Sequence, residues 1–243
     1  MAFIILAAAL KYLSNVDMMY QLEILTRERF LSIWIVLLAL GGFYLLGIFR
    51  FADETGEANA PIGLGRFGVG AAFLICALSL APGMFGGRLG ELDAYIPPLE
   101  YSGWQVAAAP GAEGGKAAWL KDDYPGALAQ ARASGKPLLV AFTGYACSNC
   151  KWMKYNMFTE PEIVALTKNM VLLELYTDGH DDVTELNQEL QLRYGSTAIP
   201  FYLILRPDES LVAEFAGRTR DVGEFQKFLE SGGPTLLTQN RPD

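Results

Sequence analysis

Apolar and polar positions divide the chain into two unlike parts. In the first, Phe30 to Phe49 runs for 20 residues without a charge, and Phe67 to Gly87 for 21, bracketed by Arg66 and Arg88. At a rise of about 1.5 Å per residue, each run covers a hydrocarbon core of about 30 Å, so both are expected as transmembrane helices. Uncharged runs of that length are uncommon inside soluble cores. Met1 to Leu13 is apolar apart from Lys11, is shorter than a span, and lacks the basic start and small-residue cleavage site of a secretory signal. It reads as the tail of a longer helix, with a self-contained interfacial helix as the alternative. As a tail, it would place the start of the chain inside a larger membrane domain.

In the second part the pattern changes to short apolar runs alternating with amphipathic ones. Pro97-Pro98 ends the membrane part, and Gly103 to Gly115, rich in Gly, Ala and Pro, has a linker's composition. From Trp119 on, the order reads as a helix from Asp123 to Ser134, a strand over 138–143, and a helix opening at Cys147. Pro161 interrupts or restarts that helix before Val164 to Thr167. Met170 to Tyr176 makes a second strand, and Val183 to Tyr194 a further helix that Gly195 ends. Phe201 to Leu205 and Leu211 to Phe215 flank the turn Pro207-Asp-Glu-Ser210 and read as an antiparallel hairpin, followed by a last helix from Val222 to Leu229. Strands alternating with helices, then a hairpin and a closing helix, imply a mixed sheet flanked by helices on both faces. The expected organisation is a transmembrane helical region over 1–96, the C-terminal part of a larger one, then a linker over 97–118. An α/β domain over 119–233 and a tail over 234–243 complete it.

Composition agrees with a membrane-attached chain: 51% of the 243 residues are hydrophobic, and the mean hydropathy of +0.21 is high for a soluble protein. The net charge is −8, with 6 basic against 9 acidic residues in positions 1–100 and 13 against 18 beyond. Neither half offers an electrostatic footprint for nucleic acid. Basic residues flank the spans on both sides, Lys11, Arg27 and Arg29 on one and Arg50 and Arg66 on the other, so loop charge sets no orientation.

The chemistry concentrates in Cys147-Ser-Asn-Cys150. Two thiols three positions apart, between a buried strand and the helix-forming run Lys151 to Phe158, place Cys147 at a helix N-terminus and Cys150 about one turn in. Unpaired N–H groups and the helix dipole favour a thiolate there. The chain has only three cysteines and one histidine, so a structural zinc site would need Cys76, inside a span, or His180, or carboxylates. A structural disulfide closing so short a loop is a lesser alternative, and a redox-active pair is the best reading. Cys147, nearer the helix end and the solvent, is then the nucleophile that attacks a partner disulfide, and Cys150 resolves the mixed disulfide. Lys151 and Lys154 either add positive potential to the site or are solvated charges. No cofactor beyond the Cys147–Cys150 disulfide is called for. In Thr197-Ala-Ile-Pro200, the proline opens a strand, where its missing donor is tolerated and a cis bond costs little.

Trp119 to Gly232 resembles a thioredoxin-like domain. Lys121-Asp-Asp-Tyr-Pro-Gly-Ala-Leu-Ala and Phe142-Thr-Gly-Tyr-Ala-Cys-Ser-Asn-Cys-Lys resemble the C-terminal domain of the DsbD family, the membrane thiol:disulfide interchange proteins. Leu6 to Asn15, Thr26-Arg-Glu-Arg-Phe and Gly42-Phe-Tyr-Leu-Leu-Gly47 resemble the last transmembrane region of that family. The resemblance implies a membrane-anchored protein-disulfide reductase of the bacterial inner membrane, its thioredoxin-like domain in the periplasm. Electrons would come from a membrane domain or protein with a cysteine pair and pass to extracytoplasmic disulfide-bearing proteins. It also implies that Cys147 and Cys150 are the redox pair, that Pro200 is a cis-proline facing them, and that Ile199 offers backbone contacts to a substrate. Two departures stand out. The buried Asp usual six residues before the first Cys is Ala141, which leaves Glu174 and Asp178 as candidate acids. The membrane cysteine pair is absent, Cys76 reading as a small buried apolar residue, so the chain is a fragment or works with a separate partner. A cytochrome c maturation thioredoxin and a soft-metal-binding module remain the alternatives.

Overall fold

The computed structural model describes residues 2–48, 63–102 and 119–232. Of the linker expected over 97–118, residues 103–118 lie outside the described residues, as does the tail expected at 234–243. Two compact units emerge, one built mainly from the chain up to 109 and the other mainly from residue 110 onward.

The first unit contains α1 (Ala2–Met19), α2 (Arg27–Leu45) and α3 (Leu64–Met84). By length and composition α2 and α3 can each cross a membrane. They approach closely at glycine: a Cβ on Gly42 would lie 3.0 Å from the Gly70 carbonyl oxygen, and one on Gly70 would lie 3.2 Å from that of Gly42. Small residues permit this close approach of two helix backbones. α1 runs six residues past the apolar stretch, and its polar end is satisfied internally. Lys11 donates to Asn15 one turn on, at 2.8 Å, and the Asp17 carboxylate accepts the N–H groups of Ile24 and Leu25 at 3.0 and 3.2 Å.

α2 and α3 each begin three residues before the uncharged runs do, because Arg27, Glu28 and Arg29 stand in the first turn of α2 and Arg66 in that of α3. Arg27 is fully buried, and its guanidinium donates to the carbonyls of Gly83, Pro97 and Gly87 at 3.2, 2.9 and 3.4 Å. A buried charge satisfied this way is tolerated, so absence of charge is a poor marker of a helix end. Cys76 corrects the sequence reading. It is exposed on α3, because the buried stripe of that helix runs through Gly70, Ala77, Leu80 and Gly83 instead.

The second unit is a five-stranded sheet in the order β1-β3-β2-β4-β5, made of β1 (Trp119–Lys121), β2 (Leu138–Thr143), β3 (Val171–Tyr176), β4 (Phe201–Leu205) and β5 (Leu211–Ala216). β1 and β2 flank β3 in parallel, and β4 and β5 run antiparallel. Alternation in the strands sends side chains to two separate cores. Leu139, Ala141, Leu172, Tyr202 and Ile204 pack against α5 (Ser148–Tyr155), α6 (Pro161–Thr167) and α8 (Val222–Glu230). Leu138, Val140, Phe142, Leu173 and Leu203 face α4 (Tyr124–Ser134) and α7 (Asp182–Arg193).

Local sequence sets the helix ends. Asp123, Asp181 and Asp221 cap α4, α7 and α8 by accepting the N–H of the residue three on, and Gly195 ends α7 at φ +73°. Pro161 stands in the first turn of α6, where its lack of an N–H is harmless. β1, unannounced in the sequence, has only three residues, too few for any periodicity to show.

Candidate redox site

β2 ends at Thr143 and α5 begins at Ser148, so Gly144 to Cys147 form the turn between them. Cys147 is the N-cap of α5, and its Sγ accepts the Cys150 N–H at 3.1 Å. The two cysteines form a disulfide with Cα atoms 5.3 Å apart. Cys147 is half-buried, whereas Cys150 is 5% exposed. An incoming sulfur therefore reaches Cys147 more readily. Once the disulfide opens, the free N–H groups of the first turn and the positive end of α5 favour a thiolate there.

The turn is tight for a physical reason. A Cβ on Gly144 would stand 2.5 Å from Asp178 Oδ2 and 2.8 Å from Ile199 Cδ1, so any side chain there would displace the Asp178 carboxylate and the tip of Ile199. The Ile199–Pro200 peptide is cis, and the Ile199 side chain lies beside the turn that carries Cys147. The segment around Pro200 is tied on both sides: Gln191 of α7 donates to the Ala198 carbonyl at 2.8 Å, and the Gly217 N–H donates to the Pro200 carbonyl at 2.8 Å. Just beyond Gly217, the exposed guanidinium groups of Arg218 and Arg220 lie 5.2 and 5.6 Å from the ring centre of Trp152, two residues after Cys150.

The two candidate acids occupy different places. In the parallel ladder Glu174 pairs with Ala141, is buried, and forms an ion pair with Lys154 at 3.0 Å. Lys154 is therefore neither a solvated charge nor free to act on Cys147, and Lys151 is buried as well. On the other side of Ala141 stands Tyr202, whose hydroxyl is pushed well above the usual range by burial and secondarily by the Glu174 charge. Asp178 instead accepts the backbone N–H groups of Tyr145 and Ala146. Gly144, Gly217 and the Arg218–Arg220 pair escaped the sequence reading, and of these only Gly144, directly after an apolar strand, left a local trace. Among the described residues no group of three or more His, Cys, Asp or Glu side chains is placed to hold a metal ion.

Residues 118–207 match the profile of the thioredoxin-like family. The second unit has the thioredoxin-like fold. Beyond it, the chain is similar to the thiol:disulfide interchange protein DsbD 2 of Pseudomonas aeruginosa, 30% identical over 186 residues that make up 73% of this chain and 29% of that protein. The chain thus spans less than a third of that relative's length. Solved structures similar to the thioredoxin-like domain include a thioredoxin from Thermus thermophilus, 25% identical with a TM-score of 0.40, covering 51% of this chain and 97% of that one. Another is the C-terminal domain of Neisseria meningitidis DsbD in the oxidised form, 19% identical with a TM-score of 0.37, covering 45% and 91%. The thioredoxin-like domain carries the CxxC pair of the disulfide oxidoreductases at Cys147 and Cys150.

Proposed function

We propose that the chain is a membrane-anchored protein-disulfide reductase that passes electrons to extracytoplasmic proteins. The observation that carries this reading is the Cys147–Cys150 disulfide at the start of α5, with the more accessible sulfur on Cys147 and the cis peptide Ile199–Pro200 packed beside its turn. Supporting it are the two helices of membrane-spanning length and the similarity to a thiol:disulfide interchange protein.

In the reduced state the Cys147 thiolate attacks one sulfur of a partner disulfide, forming a mixed disulfide and releasing the partner's other sulfur as a thiolate. Cys150, deprotonated, then attacks Cys147, closing the internal disulfide and releasing the partner's second thiol. Two electrons and two protons pass to the partner. Return to the dithiol requires a second dithiol donor, in this reading a cysteine pair on a membrane domain or protein. Pro200 and the backbone of Ile199 form the face along which a substrate chain lies.

Cys147→Ser is expected to abolish reduction of protein disulfides, and Cys150→Ser to accumulate mixed disulfides visible on non-reducing gels. Full activity in the first variant would overturn the reading. A topology reporter fused after Asp243 tests the side of the membrane, a cytoplasmic signal counting against it.

A further inference from the structure

The turn that presents Cys147 is fastened by a carboxylate. We propose that Asp178 is a positioning residue for Cys147 and that its charge opposes the thiolate there, biasing the pair toward giving up electrons. This deepens the exchange reading above and is independent of membrane side and substrate.

Asp178 Oδ1 accepts the Tyr145 N–H at 2.7 Å, and Oδ2 accepts the Ala146 N–H at 2.9 Å. Both oxygens thus serve two consecutive amides, a charge-assisted pair that fixes the turn in one orientation. Cys147 follows directly, its own N–H reaching back to the Gly144 carbonyl at 3.3 Å. The carboxylate fills the space a side chain on Gly144 would take, so glycine and aspartate form one device across 34 positions of sequence. Its base is held as well: the Thr177 N–H donates to the Thr143 carbonyl at 3.0 Å, and Gln188 donates to the Thr177 carbonyl at 2.8 Å.

The charges around this device come from several elements, among them Arg218 and Arg220 over Trp152 and Asp122, whose carboxylate accepts the Tyr176 N–H at 2.8 Å. Lys121 of β1 lies 4.9 and 4.7 Å from the ring centres of Tyr145 and Tyr176. Lys151 and Lys154 belong to α5, the latter paired with Glu174. His180, Asp181 and Asp182 stand at the start of α7, and the side nearest Pro200 is apolar, supplied by Ile199. Asp178 is the carboxylate that accepts the two amides immediately before Cys147, and its charge works against the helix end that favours the thiolate. A less favoured thiolate makes the dithiol less stable relative to the disulfide, hence more reducing.

The test uses the full chain in detergent with Asp178→Asn and Asp178→Glu. Reduced protein is treated with iodoacetamide across pH and alkylation of Cys147 is followed by peptide mass, while equilibration with glutathione buffers gives the fraction oxidised. Asp178→Asn is expected to alkylate about 3- to 10-fold faster at pH 6, a shift of up to about one pKa unit, and to remain reduced at a several-fold more oxidising glutathione ratio. Asp178→Glu, which keeps the charge, should stay near the wild-type profile. An Asn variant superimposing on wild type, or a Glu variant shifting as far as Asn, overturns the proposal. Should the Asn variant not fold, Gly144→Ala displaces the carboxylate sterically and must shift the profile the same way; a folded variant with no shift also overturns it. Loss of the exchange reading itself would show separately, as full activity in Cys147→Ser.

Discussion

Glu174 stands opposite Ala141 in the parallel β2–β3 ladder, and its carboxylate lies 3.0 Å from the ammonium of Lys154 on α5. A small residue on one strand thus makes room for a charge from the next, directly beneath the helix that carries the cysteines. Both partners are largely withdrawn from water, so neither is easily lost alone. Glu174→Gln is expected to destabilise the domain by about 1–3 kcal/mol, read as a lower urea midpoint at unchanged slope. Lys154→Met should cost a similar amount. The double variant should recover part of the sum, the sign of coupling between them.

Asp181 caps α7, the helix whose Gln191 holds the segment leading to Pro200. Hydrogen bonds from the Thr184 hydroxyl and N–H hold the Asp181 carboxyl below its ordinary range. For an acid with a depressed folded value, the stabilisation is present above the unfolded value, about pH 4, and disappears as pH falls through the folded one. Asp181→Ala is expected to lower stability by about 1 kcal/mol at pH 7. Thermal melts of variant and wild type should converge as pH is lowered from 5 toward 2.

In the first unit, Arg27 is the device that closes the end of α3. Replacing it by Met strands the carbonyls of Gly83 and Pro97 and is expected to cost at least about 1–3 kcal/mol. Arg27→Lys should restore only part of this, since an ammonium lacks the planar fork. Thermal aggregation in detergent measures both.

The Gly42–Gly70 approach sets the distance between α2 and α3. Gly42→Leu is expected to drive the helices apart at a cost of about 1–3 kcal/mol, measured as faster proteolysis of the 2–102 part. A control at Gly65, where an added Cβ meets nothing within 4 Å, should be silent.

Legibility in the sequence tracked the range of the interaction. β2 was readable because six consecutive apolar-to-Thr positions end in a turn, and the β4–β5 hairpin because its turn residues have their own chemistry. Cys147 and Cys150 were readable because the reactive pair is local. Asp178 lies more than thirty positions from the amides it holds, and nothing in either segment names the other. Lys154 read either as a helper of Cys147 or as a solvated charge, because its actual partner comes from a strand twenty positions away. Cys76 looked buried because composition alone does not tell which face of an apolar helix meets a neighbour.

The sulfur of Cys147 both reacts and closes the first turn of α5 by accepting the Cys150 N–H. Chemistry at that atom is therefore also a change of helix cap. Backbone amide exchange in the first turn of α5 becomes a clock for the oxidation state of the chain: the Cys150 amide should exchange at different rates in the dithiol, disulfide and mixed-disulfide forms. Electron transfer could then be followed at a nitrogen, with no label on either sulfur.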